Sequence, residues 1–248
     1  LLKEKKKYFT HIKFDKKSIA LDVGTGRQSV ALSTIFRRID HFDISKKHVL
    51  QLKKFSKKKK IQNIFSKRAD LEIYKFKKNR YDFINLDGIL MHTRNPLLLL
   101  KNVLSSLKEN GTIKILIYKS GSFKFILITF LRKLIYENKL ILRSKFKNNI
   151  TRMLFEDDLY VPNIHFFDEN VLCKVLKKMI GGSDKSIKTK NFHIKKIDTK
   201  NFHHSLTFYA VNKNVNLGSI KNIKLKYLNL LNKNFLKKDK FFYDNIGK

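Results

Sequence analysis

The chain is poor in the residues that staple, anchor or neutralise a protein. Cys173 is its only cysteine, so an internal disulfide is excluded and a reducing, cytoplasmic setting is expected. No stretch reaches the roughly 18 uninterrupted apolar residues that a membrane span requires. The nearest candidate, residues 123–135, is broken by Lys124, Arg132 and Lys133. No signal-peptide pattern is found. The start at Leu1-Leu2, without Met, points to residues missing from the N-terminus. No internal repeat, nucleophile triad or metal-ligand spacing occurs; His193 and the His203-His204 pair lack the Cys or carboxylate partners of a zinc site.

Acids are scarce as well: 20 Asp and Glu stand against 55 Lys and Arg, a net charge of +35. Such a balance invites a nucleic-acid reading. However, lysine outnumbers arginine 46 to 9, and Lys, Ile, Asn and Phe, all heavily used, have A/T-rich codons. The charge also runs along the whole chain, from Lys5-Lys6-Lys7 to Lys237-Lys238, and not in one arginine-rich reader. With 42% hydrophobic residues and 21 Phe, the chain is globular and long enough for one large domain.

What is present is concentrated first in residues 18–32, Ser-Ile-Ala-Leu-Asp-Val-Gly-Thr-Gly-Arg-Gln-Ser-Val-Ala-Leu. Ile19, Leu21 and Val23 alternate as in a strand, Gly24 and Gly26 make a sharp turn, and a helical pattern follows to about Arg37. Strand, glycine turn and helix open a nucleotide-binding α/β unit. Residues 39–45 read as a second strand ending at Asp43, where a carboxylate can grip the hydroxyls of a ribose. Ser45 is the N-cap of the next helix. Residues 61–65 give a third strand, followed by Ala69-Asp70-Leu71. A fourth strand starts at Tyr81-Asp82 and ends near Asp87-Gly88, ahead of Leu90-Met91-His92-Thr93. Pro96 starts a helix, Asn110-Gly111 closes it, and residues 112–118 form a fifth strand.

Asp-x-Gly-x-Gly at residues 22–26 resembles motif I of the class I S-adenosylmethionine (SAM)-dependent methyltransferases. Residues 81–96 are similar to that family's Phe-Asp-x-(Val/Ile)…Gly-Val-Leu-His-His-Thr-x-x-Pro segment, and 107–115 to its Asn-Gly strand opening. Phe166-Phe167-Asp168-Glu169-Asn170-Val171 resembles the start of its last helix. The resemblance implies a Rossmann-like, doubly wound α/β sheet of seven strands, mostly parallel, closed by an antiparallel C-terminal hairpin (191–198 and 205–212). It also implies a SAM-binding core over 18–118 in which strand and helix alternate five times. A lid or acceptor insertion would occupy 119–165, the last helix and hairpin 166–213, and a basic tail 214–248, all in a single domain of 1–248.

The cofactor contacts implied are Asp22, Gly24, Thr25, Gly26, Asp43, Ile44, Asp70, Leu71 and Asp87, with S-adenosylhomocysteine as product. If the acceptor is a hydroxyl or amine, His92, Tyr118 and His165 are the candidate catalytic residues. The acceptor expected is a small or glycan-like molecule. The alternatives are a tRNA or rRNA methyltransferase using the basic surface, and a non-catalytic SAM-fold binding protein, the latter because Arg27 sits in the glycine turn. Ser29 and Asp22 disfavour an NAD enzyme. Neither the acceptor atom nor the oligomeric state can be read from the sequence.

Overall fold

Apolar alternation sets the first strand, β1 (Ile19–Val23): Leu21 and Val23 join one core cluster and Ala20 another, on opposite faces of the sheet. The structure, a computed structural model, describes residues 17–137, 161, 163–180, 187–192 and 205–211. After β1 come α1 (Arg27–Leu32), β2 (Arg38–Asp43), α2 (Lys46–Lys58), β3 (Ile64–Arg68) and β4 (Tyr81–Asp87). A 3-10 turn (Leu90–His92), α3 (Pro96–Leu104), β5 (Leu107–Lys119) and α4 (Phe123–Glu137) follow. The described chain closes with β6 (Phe166–Phe167), α5 (Glu169–Ile180), β7 (Ile187–Phe192) and β8 (Ser205–Val211).

The sheet order is β3-β2-β1-β4-β5-β8-β7, with the two-residue β6 lying parallel to β5. β1 to β5 are parallel, β8 runs antiparallel to β5, and β7 antiparallel to β8. The order reverses between β1 and β4, so the loops after these two strands part and leave a crevice at their C-terminal ends. Leu86, Ile113, Ile115 and Ile117 from the middle strands meet Leu100, Val103, Leu172, Leu176 and Met179 from α3 and α5 in the larger core. Ala31, Leu32 and Phe36 cover the other face over Ile39 and Phe83.

The Ser45 cap and the helix start at Pro96 are as the sequence implies. Ser45 accepts from His48 N, Asn95 accepts from Leu98 N just before Pro96, and Asp168 accepts from Val171 N. Several boundaries differ. α1 stops at Leu32, well short of Arg37, because Ser33 and Thr34 turn their hydroxyls back onto the Val30 and Ala31 carbonyls. α3 ends at Leu104 in the same way: Ser105 and Ser106 donate to the Asn102 and Val103 carbonyls, each at 2.6 Å. Asn110-Gly111 therefore does not close a helix. It lies in the irregular start of β5, where the register with β4 shifts between Tyr81 and Phe83. β3 begins at Ile64, since Asn63 is spent bridging the Ser33 and Phe36 carbonyls.

Strand and helix do not alternate five times. Residues 69–80, between β3 and β4, contain no helix. Tyr74 and Phe76, two residues apart, both pack against Phe42, with ring centroids 4.9 and 5.6 Å away; a helix would turn one of them to the other side. The expected hairpin strand at 191–198 is instead 187–192. His193, His203, His204, the tail 214–248 and residues 138–160 of the insertion lie outside the described residues. Among the described residues no helix is long and apolar enough to cross a membrane.

Gly26 has φ +80°, and a Cβ on it would stand 2.7 Å from Leu52 Cδ2. Gly26→Ala should therefore destabilise the fold by about 2 kcal/mol or more in chemical denaturation, from left-handed strain plus overpacking. Adding Leu52→Ala should recover the packing share of that loss but not the strain.

Candidate active site

The glycine turn rests on a polar row laid across the sheet. Ser66, His41, Asp22, Asn85 and Lys114 are register partners on β3, β2, β1, β4 and β5, and all five are buried. Asp22 is 1% exposed; it accepts from Asn85 Nδ2 at 2.7 Å and from Ser29 Oγ at 2.5 Å, which ties β1 to β4 and to α1. His41 places Nε2 2.6 Å from the Gly24 carbonyl and Nδ1 2.8 Å from Ser66 Oγ. The carbonyl can only accept, so Nε2 carries a proton and donates to it. Lys114 Nζ donates to Asp87 Oδ2 at 2.7 Å, and Gln28 Nε2 to the same oxygen at 3.2 Å. Burial of Asp22 pushes its carboxyl above the usual value, outweighing the two hydrogen bonds that favour the anion.

Above this row, at the switch point, lies a cleft of about 260 Å³. Of the residues expected to hold a cofactor, Gly24, Asp43, Ile44, Asp70 and Leu71 line it. Asp22, Thr25, Gly26 and Asp87 do not. Asp22 and Asp87 are engaged beneath the turn, and the space beside Gly26 is taken by Leu52 of α2, so that glycine serves helix packing. Gly24 has φ +121° and faces Ile89, which a Cβ would approach to 2.9 Å. Asp43, at the tip of β2, accepts from Ser45 N at 2.6 Å and pairs with His48 Nδ1 at 2.9 Å. Each carboxylate oxygen has two acceptor positions, so capacity for a diol remains.

Two wall residues had no role in the sequence reading. Arg94 reaches across to Asp70 Oδ2 at 2.5 Å, and its backbone N donates to Glu72 Oε1 at 2.8 Å. The acidic Glu72 thus joins Asp43 and Asp70 around the cleft. The signal for Arg94 lay in its place within the His92-to-Pro96 segment, but nothing in the sequence brings residue 70 to it.

The three catalytic candidates are close together but not equivalent. His92 lines the cleft, and Nδ1 lies 3.3 Å from the Asn163 carbonyl; donation there leaves Nε2 as the acceptor nitrogen of the neutral ring. Tyr118 packs edge-to-face on His92 at 5.9 Å, with Lys124 Nζ 4.3 Å above its ring. His165 is 5% exposed, with Nε2 2.8 Å from the Thr93 carbonyl, and its backbone N donates to the Met91 carbonyl. Neither Tyr118 nor His165 lines the cleft.

A reversed strand order, a glycine turn at the switch point and a cleft at the strand tips define a Rossmann-like α/β fold of the methyltransferase type. Residues 21–115 match the model of the methyltransferase domain family. Among solved structures, it is similar to the YcgJ protein from Bacillus subtilis at 10% identity and a TM-score of 0.59, over 86% of this chain and 99% of that one. It is also similar to a putative methyltransferase from Bacillus halodurans C-125 (12%, TM-score 0.57, 86% and 100%). A SAM-dependent methyltransferase from Aquifex aeolicus matches at 15% (TM-score 0.52, 84% and 89%). None of the curated proteins matches. The lining of the cleft fits S-adenosylmethionine chemically. Carboxylates suit a ribose diol and a cationic sulfonium, and Val23, Ile44, Leu71 and Ile89 offer apolar wall for an adenine.

Asp22 gives a pH test. Its folded carboxyl holds the proton above the ordinary 3.8, so its contribution to stability is complete below that value and is lost as pH rises through the folded value. Asp22→Asn can still accept from Asn85 and donate to Ser29. The stability of the wild type relative to Asp22→Asn, read from urea midpoints, should fall as pH rises from 3.8. A constant difference across pH would refute the assignment.

Proposed function

We propose that the chain transfers the methyl group of SAM to a small-molecule or glycan-like acceptor. SAM supplies a sulfonium-bound methyl that leaves by in-line displacement. The protein's own share is positioning, which can lower a barrier by roughly 7–11 kcal/mol. In this reading Asp43 grips the ribose, the Asp70 and Leu71 wall receives the adenine, and Gly24 brings bare backbone against the donor. His92, through Nε2, takes the proton of a hydroxyl or amine acceptor. Tyr118 braces the His92 ring. His165 is a positioning residue that pins the 90–93 turn to the chain returning from the insertion.

The observation that carries the small-acceptor reading is that return. Asn163 and His165, at the end of the 119–165 insertion, bond to His92, Met91 and Thr93, and so tie the insertion to the turn that carries His92 beside the cleft. An insertion tied down beside a cleft of about 260 Å³ suits a compact acceptor better than a long polymer.

Calorimetric titration with SAM tests the donor site. Binding is expected, and Asp43→Ala should weaken it by about tenfold or more, the loss of a charge-assisted hydrogen-bonding partner. No heat at millimolar SAM, with the protein demonstrably folded, would refute the reading. His92→Gln should leave SAM affinity within about threefold of the wild type and abolish most S-adenosylhomocysteine release with an active acceptor, a loss of about 100-fold or more.

A further inference from the structure

The missing helix between β3 and β4 leaves a second cavity, of about 530 Å³, on the sheet face near the β3 edge. Its walls are aromatic and its rim is basic. Phe65, Tyr74 and Phe76 line it with Lys53, Lys67 and Lys77. Three cations are already stacked on rings: the Arg38 guanidinium lies 4.0 Å over Phe65, Lys67 Nζ 5.0 Å over Tyr74, and the Arg80 guanidinium 5.6 Å over Tyr81. The one acid in the lining, Asp40, is 6% exposed and fully engaged. It accepts from Arg38, from Arg80 through two nitrogens, and from the Tyr81 hydroxyl, so it presents no bare negative charge.

Lys53 also lines a neighbouring groove of about 870 Å³ along α2, which carries Lys46, Lys47, Lys54, Lys57 and Arg68 and no acid. Ile44 is shared in turn between that groove and the cofactor cleft. Pocket, groove and cleft thus lie next to one another along one track, neighbours through Lys53 and Ile44. Among the described residues none of the five α2 lysines in the groove has an acidic partner. A surface that alternates stackable rings with uncompensated cations along a strand-wide path is the arrangement that holds single-stranded nucleic acid: bases stack, phosphates meet ammonium groups.

We propose that this track binds single-stranded RNA, with one base seated in the aromatic pocket and the following phosphates along α2. The track lies on the β3 side of the cofactor cleft, opposite the His92 wall. It is a tethering surface and not the methyl-acceptor pocket, and it stands independently of the acceptor reading.

The test is fluorescence anisotropy with a labelled oligouridylate of about 12 nucleotides, a length within the usual single-strand site sizes. Binding should weaken with salt by a log–log slope of about −0.7 per phosphate engaged. Lys53→Glu with Lys67→Glu should cost about tenfold or more in affinity and flatten the slope. Phe65→Leu, which keeps apolar bulk and removes the ring, should weaken binding severalfold at unchanged slope. SAM affinity should be unaffected by either, which separates this outcome from failure of the donor site. Equal weakening by Lys101→Glu with Lys174→Glu, on remote helices, would overturn the proposal as unspecific charge attraction. Mole-for-mole competition by uridine monophosphate would overturn it in favour of a mononucleotide site. No binding at low salt would refute it outright.

Discussion

The structure depends on one buried carboxylate. Asp22 sits under the glycine turn with one oxygen on Asn85 of β4 and the other on Ser29 of α1. Those two bonds fix the separation of β1 from β4 at the switch point and the angle at which α1 leaves the sheet. His41 then anchors the Gly24 carbonyl from the β2 side, and Lys114 with Gln28 anchors Asp87 from the β5 side. Removing a charge from water in this way is costly unless hydrogen bonds compensate it, and the raised Asp22 carboxyl shows that compensation is partial. The return on that cost is a turn held from below, with its upper surface available to a ligand.

Electrostatics divides the molecule. A chain of net charge +35 nonetheless gathers Asp43, Asp70 and Glu72 about its cofactor cleft, with Arg94 clamped between two of them. A cationic sulfonium cofactor, as proposed for this cleft, would thereby be met by carboxylates inside a protein that would otherwise repel it. On the α2 flank the balance is reversed, and lysines line a groove without an acid. The two environments share Ile44, so a donor site and a basic track lie side by side.

Much of the fold was legible because parallel strands and their helices are written in local patterns. The period-two run of Ile19, Leu21 and Val23, the φ-permissive glycines, and the caps at Ser45, Asn95-Pro96 and Asp168 all act within a few residues of themselves. The errors came from the same locality. Serine and threonine hydroxyls that fold back on the preceding turn ended α1 and α3 early, and Tyr74 and Phe76 kept 69–80 extended by packing on a distant ring, Phe42. At the site, Gly24, Asp43, Ile44, Asp70 and Leu71 came to the cleft, whereas Asp22, Thr25, Gly26 and Asp87 did not.

The sequence by itself determined the α/β nucleotide-binding class of the domain, since a strand, a glycine turn and an acidic second-strand tip are local arrangements. Only the tertiary structure decided which way Asp22 points. It is a support beneath the turn, because its neighbours across β2 and β4, His41 and Asn85, come from 19 and 63 residues along the chain. The Arg94 clamp on Asp70, and the placing of His92 but not His165 on the cleft, were decided in the same way. A hydrogen bond depends on distance in space, and for residues so far apart in sequence that distance exists only once the sheet has formed.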